Sequence, residues 1–274
     1  MQLDQTRIPI RERSFANLMD LSLRIIREHG PALLVTSVVG AAPFFALNYW
    51  LLRDWVPELD AVHWDESVWQ YGICMAFLVV WQIPLATALT TLYLGDALFL
   101  GEPSWRGIAR NFFSRLGQLF WLQVVVRGLF TWMCITWPVL FWSWPYLNEV
   151  ILLERNPLSK GAGGVSTLSR NNSLHRFKGG LLFSRWMASA WVGVLWVGAL
   201  WLAIQGTRQL LTGRGTYFDA DMLRQWIPLA VWVVISYFGV VRFLSYLDLR
   251  IRTEGWEVEL RIRAEAARLY RQMV

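Results

Sequence analysis

The stretch that decides the fold is WIPLAVWVVISYFGVVRFLSYLDL, residues 226–249. Its only charged side chains, Arg242 and Asp248, stand in its second half, and the rest is apolar or uncharged. A helix needs about 20 largely apolar residues to cross the ~30 Å hydrocarbon core of a bilayer. The stretch therefore predicts a transmembrane helix.

The rest of the chain repeats this pattern. Of its 274 residues, 55% are hydrophobic and 17% are charged, whereas about a quarter of the residues in a soluble domain are charged. Further apolar blocks cover 31–52, 69–100, 117–153 and 181–205. The block 117–153 is too long for one crossing, and its prolines predict a hairpin of two spans with a short second one. We therefore expect an all-α polytopic transmembrane helical bundle of about six spans.

The distribution of Lys and Arg predicts the orientation of these spans. Five lie in the N-terminal stretch, three in 106–115, six in 155–185 and seven from Arg242 onward, against one, none and three in the alternate loops. Cytoplasmic loops carry the excess of Lys and Arg. We expect a multi-pass protein of the bacterial cytoplasmic (inner) membrane with both termini in the cytoplasm. The predicted parts are a cytoplasmic amphipathic segment 1–30, a six-span membrane domain 31–249 and a charged cytoplasmic helix 250–274.

Three segments outside the spans have amphipathic patterns. Residues 14–29 (SFANLMDLSLRIIREH) carry apolar side chains at helical spacing until Gly30-Pro31. Such a helix can lie in the membrane interface or pack beneath the bundle. Residues 103–120 predict a second interfacial helix between spans two and three. The tail 256–273 alternates like a strand, but its Glu–Arg pairs at i, i+4 favour a helix along the cytoplasmic surface.

No pattern in the sequence predicts catalysis, a cofactor or a metal. There is no Ser/His/Asp set and no HExxH, and the chain has two cysteines and three histidines. The glycines of GAGG, residues 161–164, do not fit the order of a phosphate-binding loop. The net charge of +6 lies in short loops between apolar blocks, which favours membrane lipids over nucleic acid as the partner.

Charged residues inside apolar blocks are the candidate site residues, because such groups are costly in a membrane. If the hairpin turns at Pro138, Arg127 and Glu149 lie at equal depth, which predicts that they pair. The pair either fixes the packing of the hairpin or forms a site for a substrate, an ion or a lipid. Asp96 and Arg242 lie near the cytoplasmic ends of their spans, where we expect them to snorkel or to cap helices.

Three stretches carry a resemblance to a known family. They are RSFANLMDLSLRIIREH (13–29), VILLERNPL (150–158) and YLDLRIRTEGWEVEL (246–260). They resemble a set of uncharacterised prokaryotic multi-span proteins, similar to the membrane domain that accompanies some glycerophosphoryl diester phosphodiesterases and to Yip-type proteins. The resemblance implies about six spans with cytoplasmic ends and no established activity. The chain departs from the family at 160–173, which is rich in Gly and Ser.

These observations lead to two functional hypotheses. The first is a non-enzymatic scaffold or subunit of a membrane assembly, whose Arg-rich cytoplasmic face contacts lipid or a protein partner. The second is a permease or lipid-handling protein that uses an intramembrane site at Arg127 and Glu149.

Overall fold

The computed structural model describes residues 12–55, 66–99, 103–131, 144–158, 165–176, 178–213 and 219–254. These segments are helices and short connections, without a strand among them. Four helices are long and apolar enough to cross a membrane: Phe15–Leu52, Glu66–Phe99, Gly179–Thr212 and Met222–Glu254. The predicted all-α architecture is therefore confirmed for the described residues, and it contains four helices that could span a membrane. The other two predicted spans are described only on either side of 132–143. Of the predicted C-terminal helix 250–274, residues 250–254 are the end of the last long helix, and the rest lies outside the described residues.

The chain order of the elements is as follows: α1 Phe15–Leu52, α2 Glu66–Ala86, α3 Ala88–Phe99, α4 Trp105–Leu119, a π-helical turn Phe120–Val126, α5 Arg127–Thr131, α6 Leu147–Glu149, a π-helical turn Val150–Glu154, α7 Thr167–His175, α8 Gly179–Thr212, a π-helical turn Met222–Trp226 and α9 Ile227–Glu254.

Helix α1 joins the predicted amphipathic segment to the first span. It begins at Ser14, whose side-chain oxygen accepts a hydrogen bond from the Asn17 backbone N–H at 3.3 Å. His29 leaves the helical conformation, with φ −109° and ψ 18°, just before Pro31. Proline removes one helical hydrogen bond and crowds the preceding turn, so the helix bends there and continues. Before the bend, Leu18 and Ile25 are buried in the bundle core.

Helices α2 and α3 form one bent rod, interrupted at Thr87 after Pro84. The rod packs closely on α1, because Gly40 lies directly against the backbone of Ala86. Polar contacts join α1 to this rod on both sides of Gly40. Asn48 and Gln82 exchange amide hydrogen bonds of 2.9 and 2.7 Å, and Thr90 bonds to Thr36 at 3.3 Å. Small and polar residues are the usual means of helix association in membranes.

Long-range contacts show which helix ends lie together. The Arg13 backbone N–H donates to Asp248 at 2.8 Å, and Arg185 forms an ion pair with Asp248. The start of α1, the start of α8 and the end of α9 therefore share one end of the bundle, which we call the basal end. At the opposite end, the Tyr71 hydroxyl donates to the Leu223 carbonyl at 2.9 Å. Glu12 and Glu254, the first and last described residues, both lie at the basal end, where they pair with Arg252 and Arg170.

The segment around α6 is the most deeply buried part of the fold. Every side chain from Leu147 to Leu152 is at most 1% exposed. The segment packs against α3, α4 and α7. Short helices and π-helical turns leave backbone groups that a lipid cannot satisfy, so they are tolerated at membrane depth when protein surrounds them.

Helix α8, in contrast, lies at the edge of the bundle and packs mainly on α9. Only Leu182, Arg185 and Gln205 are buried along its length. At its far end, Arg208 forms a two-point ion pair with Asp219, with a shorter distance of 2.6 Å. This hydrogen bonding from Arg208 lowers the pKa of the Asp219 carboxyl. Asp219 also accepts the Met222 backbone N–H at 2.8 Å, so the clamp positions the start of the last helix.

The close approach of α1 and α2 at Gly40 makes a specific prediction. A methyl group in Gly40→Ala would overlap the Ala86 carbonyl oxygen. We expect destabilisation by about 1–3 kcal/mol, the usual effect of overpacking, measured by thermal unfolding in detergent. The matched control is Gly198→Ala on α8, where an added Cβ meets nothing within 4 Å. Equal unfolding midpoints for the two variants would contradict the packing described above.

Candidate functional site

The centre of the candidate site is a buried ion pair between α6 and α9. Arg242 Nε donates to Glu149 Oε1 at 2.7 Å. The Glu149 side chain is completely buried and that of Arg242 is 20% exposed. Arg242 Nη2 also donates to the Thr87 hydroxyl at 2.9 Å, at the break between α2 and α3. The pair therefore ties three segments of the chain together.

Arg127, the other predicted partner of Glu149, lies beside this pair. Its side chain is 5% exposed, and its Nη1 donates to the Gln123 side chain at 2.9 Å. It is close enough to Glu149 and Arg242 to interact with both electrostatically. We call Thr87, Gln123, Arg127, Glu149 and Arg242 the inner cluster.

The structure thus brings together three of the four predicted site residues, but with a different pairing. The predicted proximity of Arg127 and Glu149 is found, whereas the ion pair to Glu149 comes from Arg242. The expectation that Arg242 snorkels out of its span is wrong, because α9 turns this residue toward α6. Asp96 is half-buried elsewhere, within electrostatic range of Arg155.

Two further clusters lie below the inner cluster at the basal end. In the first, the Glu154 carboxylate accepts hydrogen bonds from Tyr246 at 2.7 Å and from Arg170 at 2.6 Å. Arg170 also pairs with Glu254, which Arg250 holds at 2.8 Å. We call these five residues the Glu154 cluster. It joins the end of the α6 segment to α7 and to the last turns of α9.

The second basal cluster surrounds Asp248, which is 2% exposed. Its carboxylate receives Arg185 from α8, Arg252 at 2.8 Å and the Arg13 backbone N–H at 2.8 Å. Arg252 also bonds to Glu12 at 2.6 Å. We call Asp248, Arg185 and Arg252 the Asp248 cluster, and it gathers α1, α8 and α9 at one point.

Three residues of these clusters are not predicted from the sequence as site residues: Glu154, Arg170 and Arg185. One signal could have found the first of them. Glu154 follows Glu149 on the same apolar stretch, so both carboxylates require cations from neighbouring elements. Arg170 and Arg185 lie in or beside the basic loop 155–185. Their positions do not indicate pairing, because their partners Glu254 and Asp248 come from a distant part of the chain.

These clusters join neighbouring helices through paired charges. The carboxylates of Glu149, Asp248 and Glu154 each face an arginine at ion-pair distance. Within the described segments, no group of three or more His, Cys, Asp or Glu residues is placed to hold a metal. The oxygen Oε2 of Glu149 has no hydrogen-bond partner among the described residues. Among the carboxylate oxygens of these three clusters, it is the one that is buried without a hydrogen-bond partner.

The inner cluster predicts a strong non-additive effect on stability. Glu149→Gln or Arg242→Met alone leaves one buried charge without its partner, and we expect each to lower stability by about 3–5 kcal/mol. The double variant Glu149→Gln/Arg242→Met should recover a large part of this loss. Unfolding in detergent, analysed as a double-mutant cycle, measures the coupling. Arg53→Gln removes an exposed pair, with side chains 55% and 84% exposed, and should have little effect. Additive single and double effects would exclude the pair as a structural link.

His175 on α7 predicts acid sensitivity. Burial lowers the pKa of this histidine to about 4, and neither ring nitrogen has a hydrogen-bond partner among the described residues. The unfolded chain, with a pKa of about 6.5, binds the proton first as pH falls, so stability is lost from about pH 6.5 down to about pH 4. At about pH 5 the loss should be about 2 kcal/mol.

The measurement compares thermal unfolding of the wild type and His175→Phe at about pH 7.5 and about pH 5. The variant keeps an aromatic ring beside Tyr146, whose ring centroid lies 5.9 Å from that of His175. We expect the variant to lose less stability on acidification. The same loss in both proteins would rule out His175 as the cause.

Comparisons of the chain with protein-family models, with curated proteins and with solved structures give no match. The resemblance to the membrane domain of glycerophosphoryl diester phosphodiesterases and to Yip-type proteins therefore stays a prediction. The function has to be inferred from the fold and from the three ionic clusters.

Proposed function

We propose that this chain is a non-enzymatic scaffold or subunit of a membrane assembly. The observation that carries the proposal is the Glu149–Arg242 pair, in which a completely buried carboxylate is matched by a cation from another helix. Partners of this kind inside the protein fix the register of neighbouring helices. The basal clusters continue the same pattern along α9. A bundle held in this way is suited to present fixed surfaces.

The proposed membrane arrangement has six crossings. Support comes from the direction of the chain around the inner cluster. The Trp81 indole N–H donates to the Val124 carbonyl at 3.0 Å, and the Asn148 amide donates to the Pro84 carbonyl at 2.8 Å. Residues 124 and 148 therefore reach the same level of the bent α2–α3 rod from opposite sides of 132–143. This return of the chain to one level supports the proposal of two crossings, one before and one after 132–143.

The proposed orientation places the basal end in the cytoplasm of a bacterial inner membrane. This end carries arginines from four elements: Arg13, Arg170, Arg185, Arg250 and Arg252. Concentrated Arg and Lys mark the cytoplasmic side of membrane proteins. The same Arg-rich face is the surface that we propose for contact with lipid or with a protein partner.

Helix α8 is the lateral surface that we propose for assembly within the membrane. Its side chains at Leu195 and Leu202, seven residues apart, are 67% and 62% exposed. Seven residues make about two helical turns, so both lie on one outward face. Lipid alone can cover such a face, and packing with a helix of a partner covers it equally well.

A specific observation favours the alternative, a permease or lipid-handling protein. The oxygen Oε2 of Glu149 lacks a hydrogen-bond partner among the described residues, and buried ionisable groups in membranes often serve transport. A transport site has to open to water. The double variant Glu149→Gln/Arg242→Met, if folded, separates the two functions: a scaffold keeps its assembly, whereas a permease loses its flux.

Site-specific photo-crosslinking in native membranes tests the assembly role. A photoreactive residue is placed at Leu195 or Leu202, and in a control at Val39 of α1, which is 56% exposed. We expect a discrete protein adduct from the α8 positions and mainly lipid adducts from α1, because α8 is the least buried of the four long described helices. Lipid adducts alone at all three positions, from protein that is folded and membrane-embedded, would exclude assembly through α8.

A further inference from the structure

A cleft of about 370 Å³ opens at the basal end between the start of α1, the start of α8 and the end of α9. Three arginines line it: Arg13, Arg185 and Arg252. Apolar side chains line it as well: Phe15, Leu181 and Ala188. A wall with both characters suits a ligand that has a charged part and an apolar part.

Three arginines line the polar side of the cleft: Arg13, Arg185 and Arg252. Arg185 and Arg252 share the Asp248 carboxylate, and Arg252 also contacts Glu12. Arg185 is 4% exposed, and its Nη1 and Nη2 bond to the Ser245 carbonyl and to Asp248. Its Nε has no partner among the described residues. A buried guanidinium N–H of this kind is a strong donor to an anionic oxygen.

The N-terminus of helix α1 also favours an anion in the cleft. Ser14 and Phe15, where this 38-residue helix begins, line the cleft. The first backbone N–H groups of a helix have no partner within it, and the helix dipole makes this end positive. Helix N-termini therefore bind phosphates. The site at the cleft does not depend on this feature alone, because Arg185 supplies an independent buried donor.

The apolar side of the cleft continues onto the outer surface of α8. Beyond Ser184 and Ala188, this surface includes Trp191, which follows them at helical spacing and is 65% exposed. A soluble phosphate would make no use of this wall. An acyl chain would lie along it, within the hydrocarbon core of the bilayer that surrounds the apolar surface of α8.

We propose that the cleft binds the headgroup phosphate of an anionic phospholipid, with its acyl chains along α8. The phosphate approaches Arg185 and Arg252, and Arg252 exchanges its exposed partner Glu12 for the lipid. Basic pockets between transmembrane helices on the cytoplasmic side are typical sites for anionic headgroups. The inference rests on the proposed membrane insertion and orientation, and it does not depend on the assembly role.

The test uses the full chain, purified in mild detergent and exchanged into nanodiscs of phosphatidylcholine with increasing phosphatidylglycerol. Bound lipid is measured by native mass spectrometry, and stability by thermal unfolding. We expect retained phosphatidylglycerol and a higher unfolding midpoint than in phosphatidylcholine alone. The same midpoint in both lipids, without retained phosphatidylglycerol, would overturn the proposal.

A matched pair of variants locates the site. Ser184→Asp places a negative charge in the cleft, and Ser173→Asp places one on α7 outside it. Both serines are exposed, and each hydroxyl donates to the carbonyl three residues earlier, at 2.9 and 2.8 Å. We expect Ser184→Asp to weaken phosphatidylglycerol binding about tenfold, and Ser173→Asp to leave it unchanged. Equal binding by the two variants would overturn the site.

Two more outcomes separate the sources and the assumptions. If inorganic phosphate or glycerol phosphate raises the unfolding midpoint as much as the lipid does, the cleft is a site for a soluble anion and the lipid proposal fails. If alkaline carbonate strips the chain from membranes, membrane insertion fails and the proposed function with it. A chain that stays in the membrane without selecting anionic lipid overturns the cleft proposal alone.

Discussion

The fold depends on one constraint, the complete burial of the Glu149 carboxylate. An ionised carboxylate inside a membrane protein costs several kcal/mol unless a cation and hydrogen-bond donors meet it. Arg242 supplies the cation at 2.7 Å, and Thr87 accepts a further hydrogen bond from Arg242. The α6 helix has only three residues before its π-helical turn, too few to be stable alone. Its position therefore depends on this pairing and on the apolar side chains packed around it.

The break at residues 84–87 is what allows so many elements to meet at this point. Pro84 and the interruption at Thr87 release backbone and side-chain groups that a straight helix would keep to itself. The Pro84 carbonyl accepts Asn148 from α6, and Thr87 accepts Arg242 from α9. Between these two residues, the Ala86 carbonyl lies against Gly40 of α1. One bend thus provides contacts to three neighbouring helices, two polar and one through close backbone approach.

The sequence predicts the parts of this arrangement that follow from length, composition and proline. The apolar blocks predict the four long helices, and the hairpin geometry predicts that Arg127 lies near Glu149. Gly30-Pro31 predicts the end of the amphipathic helix, whereas α1 bends there and continues. The partner of Glu149 is missed because Arg242 belongs to another block, and depth within one span does not show which helices are neighbours. Helices α8 and α9 illustrate the same limit. Both are apolar all round, yet 56% of the apolar window of α9 is buried, against none in α8.

The clusters along α9 also bear on whether the bundle can move. From Arg242 to Glu254, this helix holds α6 through Glu149, α7 through Arg170, and α1 and α8 through Asp248. A sliding or rocking motion of α9 would have to separate ion pairs at three levels. Two of them, at Glu149 and Asp248, have buried carboxylates, and each costs several kcal/mol to break. Alternating access needs two states of similar free energy. A central helix fixed at three levels favours a bundle with a single conformation, which is the property that a scaffold requires.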